Sequence, residues 1–143
     1  PTVFDDVAFG PIYQGLPKAE VAARVDEALE AVRMAAYKER VSHHLSTGEK
    51  KRIAIATVLS MRPEILILDE PTAGLDPRAR RGLINLIRTL PQTMLVATHD
   101  IRMVVELFER SIIMDEGQVV ADGPSASILA DEALLNAHGL EVY

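Results

Sequence analysis

Apolar residues recur at helical spacing near the start of the chain. In KAEVAARVDEALEAVRM (residues 18–34) one face carries Val21, Val25, Ala28, Leu29 and Val32. The charged residues of this segment lie on its other faces. This spacing predicts an amphipathic helix. The preceding phrase, PTVFDDVAFGP, is expected to be strand-like or loop-like, with a loop over residues 10–17.

A second helix is predicted to begin after Ser46. Ser46 and Glu49 form the S-x-x-E pattern of a capping box, and the apolar residues that follow keep helical spacing as far as Met61. Pro63 is expected to end this helix. Residues 38–44 are expected to form a short polar link in front of it.

Short aliphatic runs alternate with helical patterns in the second half of the chain. ILILD (65–69) is unbroken and too short for a helix, which predicts a strand buried on both faces. TMLVAT, SIIMD and QVVADG are predicted as further strands, the last two joined by a turn at Glu116 and Gly117. Helices are predicted over 77–90, 101–108, 124–129 and 131–137. The alternation predicts an α/β fold with a largely parallel sheet.

Composition narrows the classes of protein. With 143 residues, 48% hydrophobic and 25% charged, the chain has the balance of one globular domain. Its net charge of −6 provides no basic footprint for nucleic acid, and the absence of cysteine excludes disulfides and thiolate metal sites. No apolar run approaches the roughly 20 residues that a membrane-spanning helix needs.

Polar side chains follow directly on two predicted strands. Ligands of open α/β sheets collect beyond the carboxyl ends of parallel strands, where Asp69, Glu70 and His99 are expected. Asp69 is suited to hold Mg²⁺ with nucleotide phosphates, Glu70 to orient or deprotonate a water, and His99 to contact the γ-phosphate. Each residue alone is better explained as a polar strand end that meets solvent, but their combination indicates a site.

Four motifs resemble those of ATP-binding cassette ATPases and occur in the family's order. Leu45-Ser46-Thr47-Gly48-Glu49 resembles the signature sequence and ILILDE the Walker B strand. Residues 73–76 resemble the D-loop, and residues 98–100 the switch-histidine loop. The phrases DVAFGP and HHLSTGEKKR are further similar to ATPase subunits of cobalt, nickel and energy-coupling-factor vitamin importers.

The resemblance implies a partial P-loop NTPase (RecA-like) core in residues 63–143 and a helical signature subdomain in residues 1–62. It implies ATP and Mg²⁺ as cofactors, with Glu70 and His99 catalytic and Asp69 at the metal. The nucleotide-binding residues it implies are Leu45, Ser46, Thr47, Gly48, Glu49 and Asp76. It also implies a second ATPase subunit, identical or different, transmembrane permease subunits and no nucleic acid as partners. The implied location is cytoplasmic, peripheral on the inner face of the cell membrane.

The signature segment has a physical basis of its own. The helix that follows Ser46 offers N–H groups and the positive end of its dipole to an anion, and Gly48 lets the backbone approach a phosphate closely. Thr47 stands where the family usually has glycine and Glu49 where it usually has glutamine. Added bulk and negative charge predict weaker engagement of polyphosphate.

We predict no ligand for two groups of basic residues beside the signature. Neighbouring His43 and His44 favour a polar loop over a metal pair. The Lys50-Lys51-Arg52 run is expected to form a solvated helix face, with Arg52 matching a family position.

The sequence contains no Walker A motif G-x-x-x-x-G-K-[ST]. Gly10 and Gly15 have its glycine spacing, but Leu16 and Pro17 follow. We therefore expect the C-terminal part of an importer ATPase, inactive alone and prone to self-associate through strand 93–98. A non-transport relative that works on DNA or ribosomes, or a truncated structural or regulatory partner, is the alternative. The short segment between residues 5 and 45 favours the importer, because it contains neither a coiled coil nor a basic arm.

Overall fold

The computed structural model describes residues 1–140. The helices and strands are α1 (Val3–Tyr13), α2 (Lys18–Ala31), α3 (Thr47–Leu59), β1 (Ile65–Asp69), α4 (Pro77–Thr89), β2 (Thr93–Ala97), α5 (Ile101–Leu107), β3 (Arg110–Asp115), β4 (Gln118–Pro124), α6 (Ser125–Ile128) and α7 (Glu132–Ala137). Two short 3₁₀ turns lie between α2 and α3. The predicted α/β alternation is confirmed. None of the helices among the described residues is long and apolar enough to cross a bilayer.

The contacts divide the chain into two compact units, Pro1–Leu95 and a unit that begins at Val96. The predicted division into a signature part (1–62) and a core part (63–143) rests on motifs rather than on contacts. That division stays a prediction.

The first residues form a helix, so the prediction of a strand or loop there was wrong. The Thr2 N–H donates to Asp5 Oδ2 at 2.8 Å and the Asp5 N–H donates to Thr2 Oγ1 at 3.3 Å, which makes a capping box. Val3 and Val7, one helical turn apart, are fully buried. The helix continues to Tyr13, which shortens the loop predicted over residues 10–17.

A proline inside α1 is accommodated by a side chain from α3. Pro11 has no N–H, so it cannot donate to the carbonyl oxygen of Val7, four residues earlier. The Ser60 hydroxyl lies 2.9 Å from that oxygen and is itself buried. Ser60 therefore supplies the hydrogen bond that α1 cannot make for itself.

The three N-terminal helices pack together and enclose the core of the first unit. The predicted apolar face of α2 is confirmed: all five of its residues are buried, with Val25 and Val32 fully so. The third helix begins at Thr47 as predicted and ends at Leu59, before Pro63, because Ser60 caps it and Arg62 turns the chain with a φ of +54°.

The first two strands form a two-stranded sheet, and the helix between them provides the crossover that a parallel pair requires. Leu66 and Leu68 are buried, but Ile65 and Ile67 are 60% and 69% exposed. The prediction that ILILD is buried on both faces was therefore wrong for this chain. The described residues cover one face of the strand only.

The second unit is built around an antiparallel hairpin of β3 and β4. Glu116 and Gly117 both have positive φ at the predicted turn, as the favoured two-residue hairpin loops require. Arg110 donates two hydrogen bonds of 2.8 Å to the Asp122 carboxylate across the pair. Ile113 contributes to the buried core of this unit.

Candidate functional site

The start of α3 is the first element of the candidate site. The Ser46 N–H donates to Glu49 Oε2 at 2.8 Å, and the Glu49 N–H donates to Ser46 Oγ at 3.3 Å. The predicted capping box is thus confirmed. Leu45, directly before the capping box, is buried and so fixes the start of this segment in the core.

Two backbone donors remain for a ligand at this helix start. Thr47 and Gly48 occupy the first two helical positions, where an N–H has no acceptor within the helix. A side chain at position 48 would lie 3.1 Å from the Ala79 Cβ of α4, so glycine allows the two helices to approach. Gly48 therefore serves the packing of α3 against α4, and its role towards an anion stays a prediction.

Neighbouring hydrogen-bond donors and a cation stabilise the negative charge of Glu49. Hydrogen bonds from the Ser46 backbone N–H and from the Tyr37 hydroxyl lower the pKa of the Glu49 carboxyl below its ordinary value. The same hydroxyl–carboxylate interaction raises the pKa of Tyr37. The Arg40 guanidinium lies 4.4 Å from the centre of the Tyr37 ring. These groups offset the negative charge that Glu49 brings to a phosphate-binding segment.

The carboxyl end of β1 is the second element. Asp69 is the last residue of the strand and is exposed, while Glu70 is partly exposed and has a φ of +43°. The Ala73 N–H donates to the Glu70 carbonyl oxygen at 3.2 Å and closes the turn after the strand. Asp69 and Glu70 thus lie next to each other at the end of the predicted strand, and their roles stay a prediction.

The basic run after the signature is not the solvated face that was predicted. Lys50 is exposed, but Lys51 Nζ donates to the Glu70 carbonyl oxygen at 3.1 Å. Arg52 Nη1 donates to the Val32 carbonyl oxygen at 3.1 Å, beyond the end of α2. Gly82 of α4 leaves room for the Arg52 guanidinium, since a Cβ there would lie 2.8 Å from Nη2. Positions 51 and 52 share the helical face of buried Ile55, and this spacing is the signal that sequence reasoning overlooked.

Asp76, the predicted D-loop residue, is the N-cap of α4. Its carboxylate accepts hydrogen bonds from the N–H groups of Arg78 and Ala79 at 2.9 and 3.0 Å. A carboxylate so placed is stabilised by the helix dipole. Its role towards nucleotide stays a prediction.

His99 belongs to the second unit and follows β2. The side chain is exposed, and the carbonyl oxygen accepts from the Ile101 N–H at 3.0 Å. Asp100 caps α5 by accepting from the Met103 N–H at 3.0 Å, and its own N–H donates to Thr98 Oγ1 at 3.0 Å. This turn presents His99 at the start of a helix.

The donor set fits magnesium carried by a nucleotide better than a dedicated metal cage. Within residues 1–140, no three histidine or acidic side chains cluster closely enough to hold an ion, and His43 and His44 make an edge-to-face contact with ring centres 4.3 Å apart. Magnesium that accompanies phosphates needs only one or two protein carboxylates and keeps its waters. Asp69 meets that requirement.

Comparison with known proteins identifies the family. The sequence profile of the ABC transporter family matches residues 2–73. A putative ABC transporter ATP-binding protein of Gloeobacter violaceus is 58% identical over 99% of this chain. An energy-coupling factor transporter ATP-binding protein, EcfA, of Methanothermobacter thermautotrophicus is 44% identical over 99%. The chain spans 59% and 47% of the lengths of these two relatives.

Solved structures show the same architecture. The cbiO1 protein of Clostridium perfringens, described as part of the ABC transporter complex cbiONQ, is 39% identical with a TM-score of 0.82 over 99% of this chain and 58% of that one. A putative metal-chelate type ABC transporter in an inward-facing conformation shares the fold, with 22% identity and a TM-score of 0.88 over 97% of this chain and 58% of its own. The chain therefore belongs to the ABC transporter family of ATP-binding proteins.

Proposed function

We propose that this chain forms part of the ATP-hydrolysing subunit of an importer that takes up metal ions or vitamins. The observation that carries the proposal is a helix start with two available N–H donors in the same compact unit as the Asp69–Glu70 pair. The EcfA and cbiO1 relatives are named as parts of transporters, which supports a role in transport. The importer class and its metal or vitamin substrates rest on the resemblance of DVAFGP and HHLSTGEKKR to importer ATPases.

The side chains divide the work of hydrolysis. Asp69 would hold Mg²⁺, which when bound supplies positive charge beside the phosphates. Glu70 orients or deprotonates the attacking water, and His99 contacts the γ-phosphate. The N–H groups of Thr47 and Gly48, together with Ser46, bind the γ-phosphate held by a second ATPase subunit. Asp76 is the further nucleotide-binding residue of this proposal.

A phosphate cradle must come from polypeptide outside these residues. The 143 residues contain no G-x-x-x-x-G-K-[ST] segment. Without backbone donors and a lysine around the β- and γ-phosphates, Asp69 and Glu70 have no positioned substrate. Turnover by the chain alone is therefore not expected.

A groove beside α1 is the proposed contact for a permease subunit at the inner face of the membrane. It has a volume of about 940 Å³ and is lined by apolar Leu45 and Ile53 and by acidic Asp5 and Asp6. Phe9 also lines it and is 72% exposed. Apolar concave surface with an exposed aromatic rim is typical of protein interfaces.

Substitutions test the division of roles in a protein that joins this chain to a P-loop segment. Glu70→Gln should lose most turnover yet keep nucleotide affinity, because it spares the magnesium and phosphate contacts. Asp69→Asn should instead raise the magnesium concentration needed for half-maximal rate. Equal losses of ATP affinity in both variants would contradict the assignment.

A further inference from the structure

One lysine links the signature helix to the residue proposed to handle the attacking water. Lys51 is partly buried on α3, and its Nζ lies 3.1 Å from the carbonyl oxygen of Glu70. A hydrogen bond from an ammonium to a carbonyl is stronger than one between neutral groups. The bond joins two segments that are 19 residues apart in sequence.

Glu70 has a backbone conformation that glutamate seldom adopts. Its φ of +43° lies in the left-handed region, where a side chain is strained. The other non-glycine residues with positive φ follow helix ends, at Arg33 and Arg62, or form the hairpin tip, at Glu116. Glu70 and Glu116 each follow directly on a β-strand, but among these four residues Glu116 lies in a two-residue hairpin loop, which favours positive φ, whereas Glu70 does not. Such a conformation persists only where surrounding contacts hold it.

Two donors converge on the Glu70 carbonyl. The Ala73 N–H approaches it at 3.2 Å from within the turn, and Lys51 approaches it from another element. The bond from the Ala73 N–H joins residues within one turn, so it does not depend on the rest of the fold. The lysine bond fixes the direction of the 70–71 peptide plane relative to α3, and that direction together with the φ and ψ of Glu70 determines the direction of its Cα–Cβ bond.

We propose that Lys51 is a positioning residue, which holds Glu70 in its left-handed conformation through the carbonyl oxygen and so aims the carboxylate. This inference rests on the proposed role of Glu70 in hydrolysis. One helix then carries both the phosphate donors at its start and, one turn further on, the clamp on the water-handling residue. A change in α3 on anion binding would reach Glu70 through the Lys51 bond.

The test begins with the 143-residue chain and needs no nucleotide. A residue with positive φ shows an unusually strong nuclear Overhauser effect between its own amide and α protons. We expect this signature at Glu70 in the unmodified chain and its loss in Lys51→Met. Lys51→Arg, which keeps a long cationic donor, should retain it. Lys50→Met removes the same charge from an exposed neighbouring position and should also retain it.

A second variant guards against a folding defect. Lys51→Gln keeps a polar side chain but is shorter than lysine, so it too should lose the signature while the helical circular dichroism stays unchanged. Persistence of the strong amide–α effect at Glu70 in a folded Lys51→Met or Lys51→Gln chain would overturn the proposal. Loss of the effect in Lys50→Met would overturn it as well, because charge rather than contact would then be responsible.

Kinetics separate this inference from the proposed function. In a protein that joins this chain to a P-loop segment, Lys51→Met should lower kcat about tenfold or more with little change in KM, since a misplaced catalytic group costs rate rather than binding. Lys51→Arg should restore most of the rate. Full turnover in Glu70→Gln would refute the role of Glu70, whereas full turnover in Lys51→Met beside an inactive Glu70→Gln would refute only the clamp.

Discussion

The hydroxyl of Ser60 lies 2.9 Å from the carbonyl oxygen of Val7 and takes the place of the N–H that Pro11 lacks. It also lies 2.9 Å from the Thr57 carbonyl oxygen in its own helix. A buried serine at the end of α3 thus completes the hydrogen bonding of α1. The two helices are joined by a polar contact inside an otherwise apolar interface.

Ser60→Ala should destabilise the chain by about 1–3 kcal/mol, because it leaves a buried carbonyl oxygen without a partner. In a Pro11→Ala background the helix regains its own N–H donor, and the same serine substitution should cost clearly less. Urea unfolding of the four chains in this double-mutant cycle measures the difference. Ser127→Ala, at an exposed position, serves as the control. Equal costs of Ser60→Ala in both backgrounds would show that the hydroxyl does not serve the proline site.

Stability in acid should depend on Glu49. Hydrogen bonds from Ser46 and Tyr37 lower the pKa of Glu49 from its ordinary value of 4.5, so its ionised form stabilises the folded state above that pH. The contribution disappears as the pH falls through the lowered pKa. The unfolding free energy of the unmodified chain should therefore exceed that of Glu49→Gln at pH 7, and the gap should narrow below pH 4.5.

Tyr37→Phe removes one of the two hydrogen-bond donors to the Glu49 carboxylate. It should therefore lower the unfolding free energy at pH 7 by part of the difference expected for Glu49→Gln. Urea denaturation between pH 3 and pH 7 provides the measurement. A gap between the unmodified chain and Glu49→Gln that stays constant with pH would contradict the account of this cluster.

The exposed side of the first sheet should promote self-association. The sheet has two strands, so β1 and β2 each keep one edge without a strand partner among residues 1–140. Ile67 and Leu95 are 69% and 59% exposed on these strands. Unpaired edges beside apolar surface invite pairing with another chain.

Light scattering should detect dimers or larger species at high concentration. Leu95→Lys should reduce association, because charge on an edge strand opposes pairing. Ser127→Lys, at an exposed position on the helix α6, should not. A monodisperse monomer with the amides of residues 94–97 protected from exchange would contradict the edge argument.

The parts of the structure that sequence predicted well have strong local signals. The apolar face of α2, the capping box at Ser46 and the turn at Glu116 and Gly117 each depend on residues close together in the chain. The helix at the N-terminus was missed because Pro11 and Gly10 indicate a loop. Its Thr2-x-x-Asp5 cap was the overlooked local signal.

Long-range contacts could not be predicted from one sequence. The bond from Lys51 to Glu70 spans 19 residues and that from Arg52 to Val32 spans 20. The sequence indicates neither bond except through the helical spacing of the two basic residues. The burial of ILILD was overestimated for a related reason. An aliphatic run indicates that a strand can be covered on both faces but not which residues cover it.

The central claim is that these residues supply the signature segment and the hydrolytic side chains of an ABC ATPase, while the phosphate cradle lies elsewhere. Isothermal titration calorimetry of the purified 143-residue chain with Mg·ATP tests it most directly. We predict no saturable heat at micromolar nucleotide, because Asp69, Glu70 and the α3 start offer too few phosphate contacts without a P-loop. Saturable binding of Mg·ATP with a micromolar Kd, lost in Asp69→Asn, would contradict the claim.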